Sequence, residues 1–184
     1  MTSRSREERP VRRLTHVDEH GKAHMVDVSG KPVTRRVAEA RCSVRSVGNV
    51  TAVLDRPPGG ADLIETARIA GIMAAKRTPT LVPLCHPLLL DGFTVDVAVV
   101  PHGFEVRAVT SVAERTGVEM EALTACAAAA LVLVQALLEV DPCASVEDLT
   151  LWHKSGGRSG VWQRPVDGGH EREPETWQQR PCTP

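Results

Sequence analysis

A long apolar segment, Thr116–Val140, dominates the hydrophobic pattern of this chain. From Ala122 to Leu138 only Thr124 and Gln135 are polar, and a helix that is apolar on most faces is normally buried. The segment is rich in alanine and short for a bilayer span, so the pattern predicts a core helix packed on a sheet. Thr116 and Glu119 have the spacing of a capping box, which predicts where the helix begins.

The remaining pattern predicts strands and one more long helix. Strand-forming residues and partial alternation indicate strands at Val37–Val47, Thr94–Val100, Gly103–Val112 and Val146–His153. Asp62–Arg77 is typical of a helix. The order is strand, helix, strand, strand, helix, strand, which predicts an α+β, ferredoxin-like βαββαβ antiparallel sheet with helices on one face.

The ends of the chain differ from this central part. Leu14–Ser29 predicts an added N-terminal hairpin around a turn at Glu19–Lys22. Residues 1–13 are charged and almost free of apolar side chains, and residues 161–184 are polar and contain prolines. Such segments cannot bury enough surface to become ordered. We therefore predict a disordered basic arm, a domain over residues 14–160 and a disordered tail.

Charge and cysteine content narrow the class of protein. The chain has 184 residues, with 22 Lys and Arg against 23 Asp and Glu, and the net charge of −1 gives no argument for a nucleic-acid or membrane partner. Its five cysteines are scattered without a C-x-x-C pair, which favours reduced thiols over a disulfide framework. No apolar segment follows the Arg-rich N-terminus as in a signal peptide. We expect a cytoplasmic protein.

Three histidines, His16, His20 and His24, recur every four residues. On a helix this spacing would suggest a metal site. The predicted turn between them breaks that geometry, so ordinary surface histidines are the simpler interpretation. We predict no metal site and no other cofactor.

A few residues could support chemistry. His86, Glu119 and Glu121 could exchange protons, because an imidazole titrates near neutrality and a buried carboxylate can be tuned. Lys154 and Arg158, in the sequence KSGGRSG, could bind a phosphate that the glycines allow to approach the backbone. Each has an ordinary alternative: Glu119 as a cap, His86 as a turn residue, and the glycine-rich segment as a flexible exit from a strand.

Four longer stretches resemble the MoaC family, the cyclic pyranopterin monophosphate synthases of molybdenum cofactor biosynthesis. In order along the chain they are THVDEHGKAHMVDVSGK, ETARIAGIMAAKRTPTLVPLCHPLLL, RTGVEMEALTA and HKSGGRSG. The resemblance covers residues 14–160 and implies a homo-oligomer, a hexamer built as a trimer of dimers, with active sites between subunits. The implied reaction is that of a lyase, which converts 3′,8-cyclo-7,8-dihydro-GTP to cyclic pyranopterin monophosphate and pyrophosphate.

The length of the apolar helix agrees with a site between subunits. Glu121 and Gln135 are 14 residues apart on nearly one face, which places them roughly 21 Å apart along a straight helix. One small ligand could therefore touch both ends only if two chains contributed.

The resemblance also implies roles for individual residues at positions that match the family's motifs. A triphosphate needs cations, and a ring rearrangement needs several proton donors and acceptors. The implied catalytic residues are His86, Glu119, Glu121 and Asp27; the implied substrate-binding residues are Met120, Cys85, Arg68, Lys76, Lys154 and Arg158.

Three positions depart from the family's pattern. Gly60 stands where the family has a catalytic lysine, and Gln135 and Leu138 stand where it has an aspartate and a lysine three residues apart. An Asp and a Lys at this spacing share one helical face and can act as an acid–base pair, which Gln and Leu cannot. Two hypotheses remain: an enzyme of this family with altered acid–base residues, or a silent or divergent homologue that binds a purine nucleotide, as a partner subunit or in a specialised pathway.

Overall fold

A five-stranded antiparallel sheet forms the centre of the computed structural model, which describes residues 15–55 and 60–165. The strands are β1 (Thr34–Arg45), β2 (Gly92–Val100), β3 (Gly103–Glu114), β4 (Ser145–Ser155) and β5 (Trp162–Gln163). The helices are α1 (Val50–Leu54), α2 (Gly60–Ala75), α3 (Thr78–Leu81) and α4 (Glu119–Leu137).

The sheet order is β2-β3-β1-β4-β5, and every neighbouring pair is antiparallel. The first four strands and the two long helices have the βαββαβ arrangement, so the predicted ferredoxin-like α+β fold is confirmed. β5 adds a short edge strand, in which Trp162 pairs with Lys154 and Gln163 pairs with His153. The sequence pattern had placed these two residues in a disordered tail; residues 166–184 and 1–14 lie outside the described part of the chain.

Two short helices were missed by the sequence pattern. α1 is too short for a periodic signal, and its start is marked only by Asn49, whose Oδ1 accepts a hydrogen bond from Thr51 N at 3.1 Å. α3 forms a single turn, with Pro79 at its start. Proline suits that position because the first helical N–H groups need no intrahelical partner.

The N-terminal hairpin is smaller than expected. A single antiparallel bridge joins Val17 to Ala23, and Asp18 N donates to Lys22 O at 2.9 Å. Gly21 has φ +76° in the turn, a conformation that glycine adopts without steric cost. Beyond this bridge the segment is not part of the sheet.

α4 is the predicted core helix. It is long and apolar enough to span a membrane by length and composition, but here it packs on β1, β3 and β4 and against α2. Leu133 and Leu137 are fully buried on its sheet-facing side, with Phe104 of β3. α2 approaches closely at Gly71, where a Cβ atom would lie 2.9 Å from the carbonyl oxygen of Ala125.

Candidate active site

The first turn of α4 begins at Glu119, and the predicted capping box does not form. Val118 is the N-cap residue, and its apolar side chain makes no capping hydrogen bond. Glu119 is held elsewhere, because its Oε1 accepts a hydrogen bond from Lys154 Nζ of β4 at 3.1 Å. The helix start is instead fixed by buried Thr110 of β3, whose hydroxyl donates to Val118 O at 3.0 Å. The Glu119 carboxylate thus forms a tertiary ion pair instead of the predicted capping box.

A cleft of about 310 Å³ lies at this end of α4. Its walls come from the N-terminal segment, from the segment after α3 and from the start of α4. The lining residues are Thr15, His16, Val26, Leu84, Cys85, His86, Leu88, Thr116, Gly117, Glu119, Met120 and Glu121. Five of the predicted site residues, Cys85, His86, Glu119, Met120 and Glu121, therefore meet in one cleft.

Glu121 is the most perturbed acid of this cleft. Its side chain is almost fully buried, at 3% exposure. Burial raises the pKa of Glu121 to about 7; a hydrogen bond from its own backbone N–H acts against this, and the negative charge of Glu119 adds to it. Near neutral pH the Glu121 carboxyl group can therefore both donate and accept a proton.

Cys85 and His86 enter the cleft from the segment that follows α3. Cys85 N donates to Val82 O at 3.0 Å in a turn, and Pro87 favours an extended backbone at His86. Burial raises the pKa of the Cys85 thiol, and the charges of Glu121 and Glu119 raise it further. The thiol is therefore held protonated beside the two carboxyl groups.

Asp27 lies next to Val26, which lines the cleft, but is itself exposed. The backbone N–H of Ser29 donates to Asp27 Oδ1 at 2.8 Å, and this hydrogen bond lowers the pKa of Asp27. The nearby charge of His86 lowers it as well. Asp27 is thus ionised at neutral pH and electrostatically coupled to the imidazole.

A second, smaller cleft of about 40 Å³ adjoins the first and shares Gly117 and Glu119 with it. Two cationic side chains line it, Arg36 of β1 and Lys154 of β4. Arg36 Nε and Nη2 donate to the carbonyl oxygens of Glu114 and Arg115, each at 3.0 Å. The guanidinium is thereby fixed in place by neutral groups. The remaining lining residues are Val37, Val118, Ser155, Gly156 and Ser159.

Arg36 was not found by sequence reasoning. In β1 it lies two residues before Ala38, which pairs with Lys154, so Arg36 and Lys154 come together at one end of the sheet. The available signal was the alternation of β1, which puts Arg36 on the same face as buried Ala38. That signal does not reveal that β4 is the neighbouring strand.

Glycines of the loop after β4 complete this smaller cleft. Gly156 has φ +94°, and a Cβ atom there would lie 2.1 Å from the carbonyl oxygen of Arg35. Gly157 has φ +68°, and its Cβ atom would meet the Arg36 guanidinium at 2.3 Å. The two glycines therefore allow the loop to pass directly beside the fixed cation.

The other predicted binding residues do not line either cleft in the part of the chain that the structure describes. Arg68 forms an ion pair with Glu65 on α2, and Lys76 Nζ lies 5.1 Å from the centroid of the Phe93 ring. Arg158 is exposed in the loop after β4. Their roles in substrate binding stay predictions.

Gln135 and Leu138 are exposed near the C-terminal end of α4. The whole helix separates them from Glu121, which lies in its first turn. Among the described residues, no cluster of three or more His, Cys, Asp or Glu side chains could hold a metal ion.

The larger cleft combines a tunable carboxyl group, a thiol and an imidazole, and the smaller cleft contains a fixed guanidinium and a lysine. The ferredoxin-like fold thus presents two adjacent clefts. The cations of the smaller cleft can bind the anionic part of a small molecule, and the titratable groups of the larger cleft can exchange protons with the rest of it.

Comparison with known proteins gives the family. The MoaC family matches residues 25–157, which is more than half of the chain, and the chain belongs to this family. A protein of Nocardioides sp. named cyclic pyranopterin monophosphate synthase is 51% identical over 159 residues, covering 84% of this chain and 97% of that protein. A Streptomyces coelicolor protein of the same name is 50% identical over 157 residues, covering 84% and 92%. Mycobacterium tuberculosis has a protein named cyclic pyranopterin monophosphate synthase 2 that is 48% identical over 154 residues, covering 82% and 91%.

Proposed function

We propose that this protein acts in molybdenum cofactor biosynthesis as a cyclic pyranopterin monophosphate synthase. In this reaction 3′,8-cyclo-7,8-dihydro-GTP is rearranged to a pyranopterin while a cyclic phosphate forms and pyrophosphate leaves. The observation that carries the proposal is the contiguity of the two clefts through Glu119. A substrate with a purine-derived ring system and a triphosphate needs such a pair of adjacent environments.

The smaller cleft suits the phosphates. Arg36 and Lys154 supply two positive charges, and the guanidinium is already oriented by its two carbonyl partners. Cations held in place lose little conformational entropy when they bind an anion. They would also stabilise the charge that develops on departing pyrophosphate.

The larger cleft suits the rings. Its volume of about 310 Å³ is at the lower end of the range for small-molecule sites, about 300–1,000 Å³. Glu121, with a pKa of about 7, serves as the proton donor and acceptor in this proposal. His86 is the second proton-exchanging group in this proposal, and the Asp27 carboxylate supplies a negative charge in its vicinity.

We further propose that the protein is a cytoplasmic homo-oligomer, a hexamer built as a trimer of dimers. Support comes from apolar side chains on the outer side of the helix layer, where Ile69, Met73, Leu131 and Leu138 are each about half exposed or more. A second chain packed on these side chains would remove their apolar surface from water, which favours association. Pairing of two chains over this layer would also bring the far end of one α4 toward a neighbouring site.

A coupled assay tests the synthase proposal. A radical-SAM GTP cyclase generates the cyclised GTP, the protein is added, and cyclic pyranopterin monophosphate and pyrophosphate are measured. We expect both products at rates well above a control without the protein. Glu121→Gln should abolish most of this turnover, while exposed Glu147→Gln should retain it.

A second function is favoured by Gln135 and Leu138. Because these residues cannot replace an acid–base pair, the chain could instead bind the nucleotide as a silent subunit beside an active family member. This alternative predicts substrate binding without product, and product only when a family member with the Lys, Asp and Lys residues is added. Turnover by the purified protein alone would exclude it.

A further inference from the structure

The two clefts meet at a single charged residue, Glu119. Its carboxylate lines both of them and pairs with Lys154 across their boundary at 3.1 Å. Glu121, two residues further along α4, lines only the larger cleft. Glu119 therefore stands between the cation of one cleft and the acid of the other.

The ion pair between Lys154 and Glu119 is accessible to a competing anion. Both side chains are about one third exposed, 33% for Lys154 and 30% for Glu119, so neither is locked in the core. An anion in the smaller cleft would approach Lys154 from the side of Arg36 and would compete with Glu119 for the ammonium group. The Arg36 guanidinium, bound to main-chain carbonyls, stays where it is.

We propose that Glu119 couples the two clefts: an anion bound between Arg36 and Lys154 displaces the Glu119 carboxylate, whose uncompensated charge then favours the protonated form of Glu121. Glu119 is thus a positioning residue that acts through Glu121. The inference rests on the proposed function for the identity of the anion, the phosphate chain of the substrate. Binding of the phosphates would thereby favour the protonated Glu121 that serves as proton donor in the ring chemistry.

Several other charged or titratable groups surround Glu121. Cys85 and His86 face it from the segment after α3, and His16 lies on the wall formed by the N-terminal segment. Of these neighbours, Glu119 is the residue that is bound to Lys154. The existing effect of Glu119 has the required sign, since its negative charge raises the pKa of Glu121.

Binding and protonation are then reciprocal. An anion that raises the affinity of Glu121 for a proton must itself bind more tightly when Glu121 is protonated. The smaller cleft should accordingly bind anions several-fold more tightly below the titration midpoint of Glu121 than above it.

Carboxyl ¹³C NMR of protein labelled at glutamate tests the coupling. The Glu121 signal is assigned by its loss in Glu121→Gln and titrated with and without sodium sulfate, at constant ionic strength maintained with chloride. Sulfate remains a dianion throughout the titration, so its own charge does not change with pH. We expect it to raise the midpoint of Glu121 above its starting value. In Glu119→Gln the starting midpoint should be lower and sulfate should leave it unchanged, whereas Glu147→Gln should respond like the parent protein.

Three outcomes would overturn the coupling. Sulfate could raise the midpoint equally in Glu119→Gln, which would mean that it acts on Glu121 directly. It could perturb the Glu119 signal without moving that of Glu121, or it could fail to bind. The turnover assay is independent: coupling without product rejects the synthase proposal alone, and product without coupling rejects the role of Glu119 alone.

Discussion

Gly117 packs against the carboxylate of Glu119 so closely that a Cβ atom on Gly117 would lie 1.8 Å from Glu119 Oε2. The contact involves the end of a flexible side chain, so the carboxylate rather than the backbone must move when a methyl group is added. Gly117 thus keeps open the space in which Glu119 reaches Lys154.

Gly117→Ala should consequently impair the site while leaving the fold intact. We expect a lower kcat with a thermal unfolding midpoint close to that of the parent protein. Gly30→Ala is the matched control, because a Cβ atom there meets no atom within 4 Å. Equal activity of the two variants would show that the position of Glu119 is unimportant.

Removal of the fixed guanidinium should weaken phosphate binding. Hydrogen bonds to charged groups contribute about 1.5–3 kcal/mol each, so Arg36→Ala should raise the Kd of a purine triphosphate by about 10-fold to 100-fold. The neighbouring side chain of Arg35 is exposed, and Arg35→Ala serves as the control for loss of one positive charge. Isothermal titration calorimetry measures the Kd of both variants. Similar losses of affinity would mean that net charge, and not the position of the Arg36 guanidinium, determines binding.

The raised pKa of Glu121 predicts a pH-dependent stability. Between the ordinary value of 4.5 and the folded value of about 7, the folded state holds more protons than the unfolded state. The free energy of unfolding therefore falls as pH rises through this window. After a discount for partial solvation of the cleft, the free energy of unfolding should fall by on the order of 2 kcal/mol across this window.

Glu121→Gln should remove this loss, because the amide stays neutral. Urea unfolding of both proteins at pH 5 and pH 8 measures the difference. Relative to the parent, the variant should gain stability at the higher pH, and Glu147→Gln should show no such gain. If the free energies of unfolding of variant and parent differed by the same amount at both pH values, the raised pKa of Glu121 would be contradicted.

Glu39 makes a testable contribution to stability on the sheet face opposite the long helices. Its carboxylate pairs with Arg41 Nη2 at 2.6 Å and with Arg107 Nη2 at 2.8 Å, and its side chain is 2% exposed. Removing one partner of a buried ion pair costs about 3–5 kcal/mol, so Glu39→Ala should lower the free energy of unfolding by about that amount. Glu105→Ala, which loses the more exposed pair with Arg45, should cost less in urea unfolding; the reverse ranking would contradict the argument.

The periodicity of the sequence contained most of the fold. Two long helices and four strands follow from local patterns, and the acid–base residues Glu119 and Glu121 stand in one recognisable stretch. The capping box at Thr116 failed because Glu119 is bound by Lys154, a residue 35 positions away. Arg36 was missed for a similar reason, since only the pairing of β1 with β4 brings it to the site. Long-range contacts of this kind have no local signature.

The exposed far end of α4 has an evolutionary consequence. The buried side of the helix, with Leu133 and Leu137, supports the core, whereas Gln135 and Leu138 face outward. Because substitutions at these two exposed positions leave the interior packing of the chain unchanged, they should cost little folding stability. Substitutions at Gln135 and Leu138 can accordingly accumulate during evolution while the buried scaffold of the fold persists.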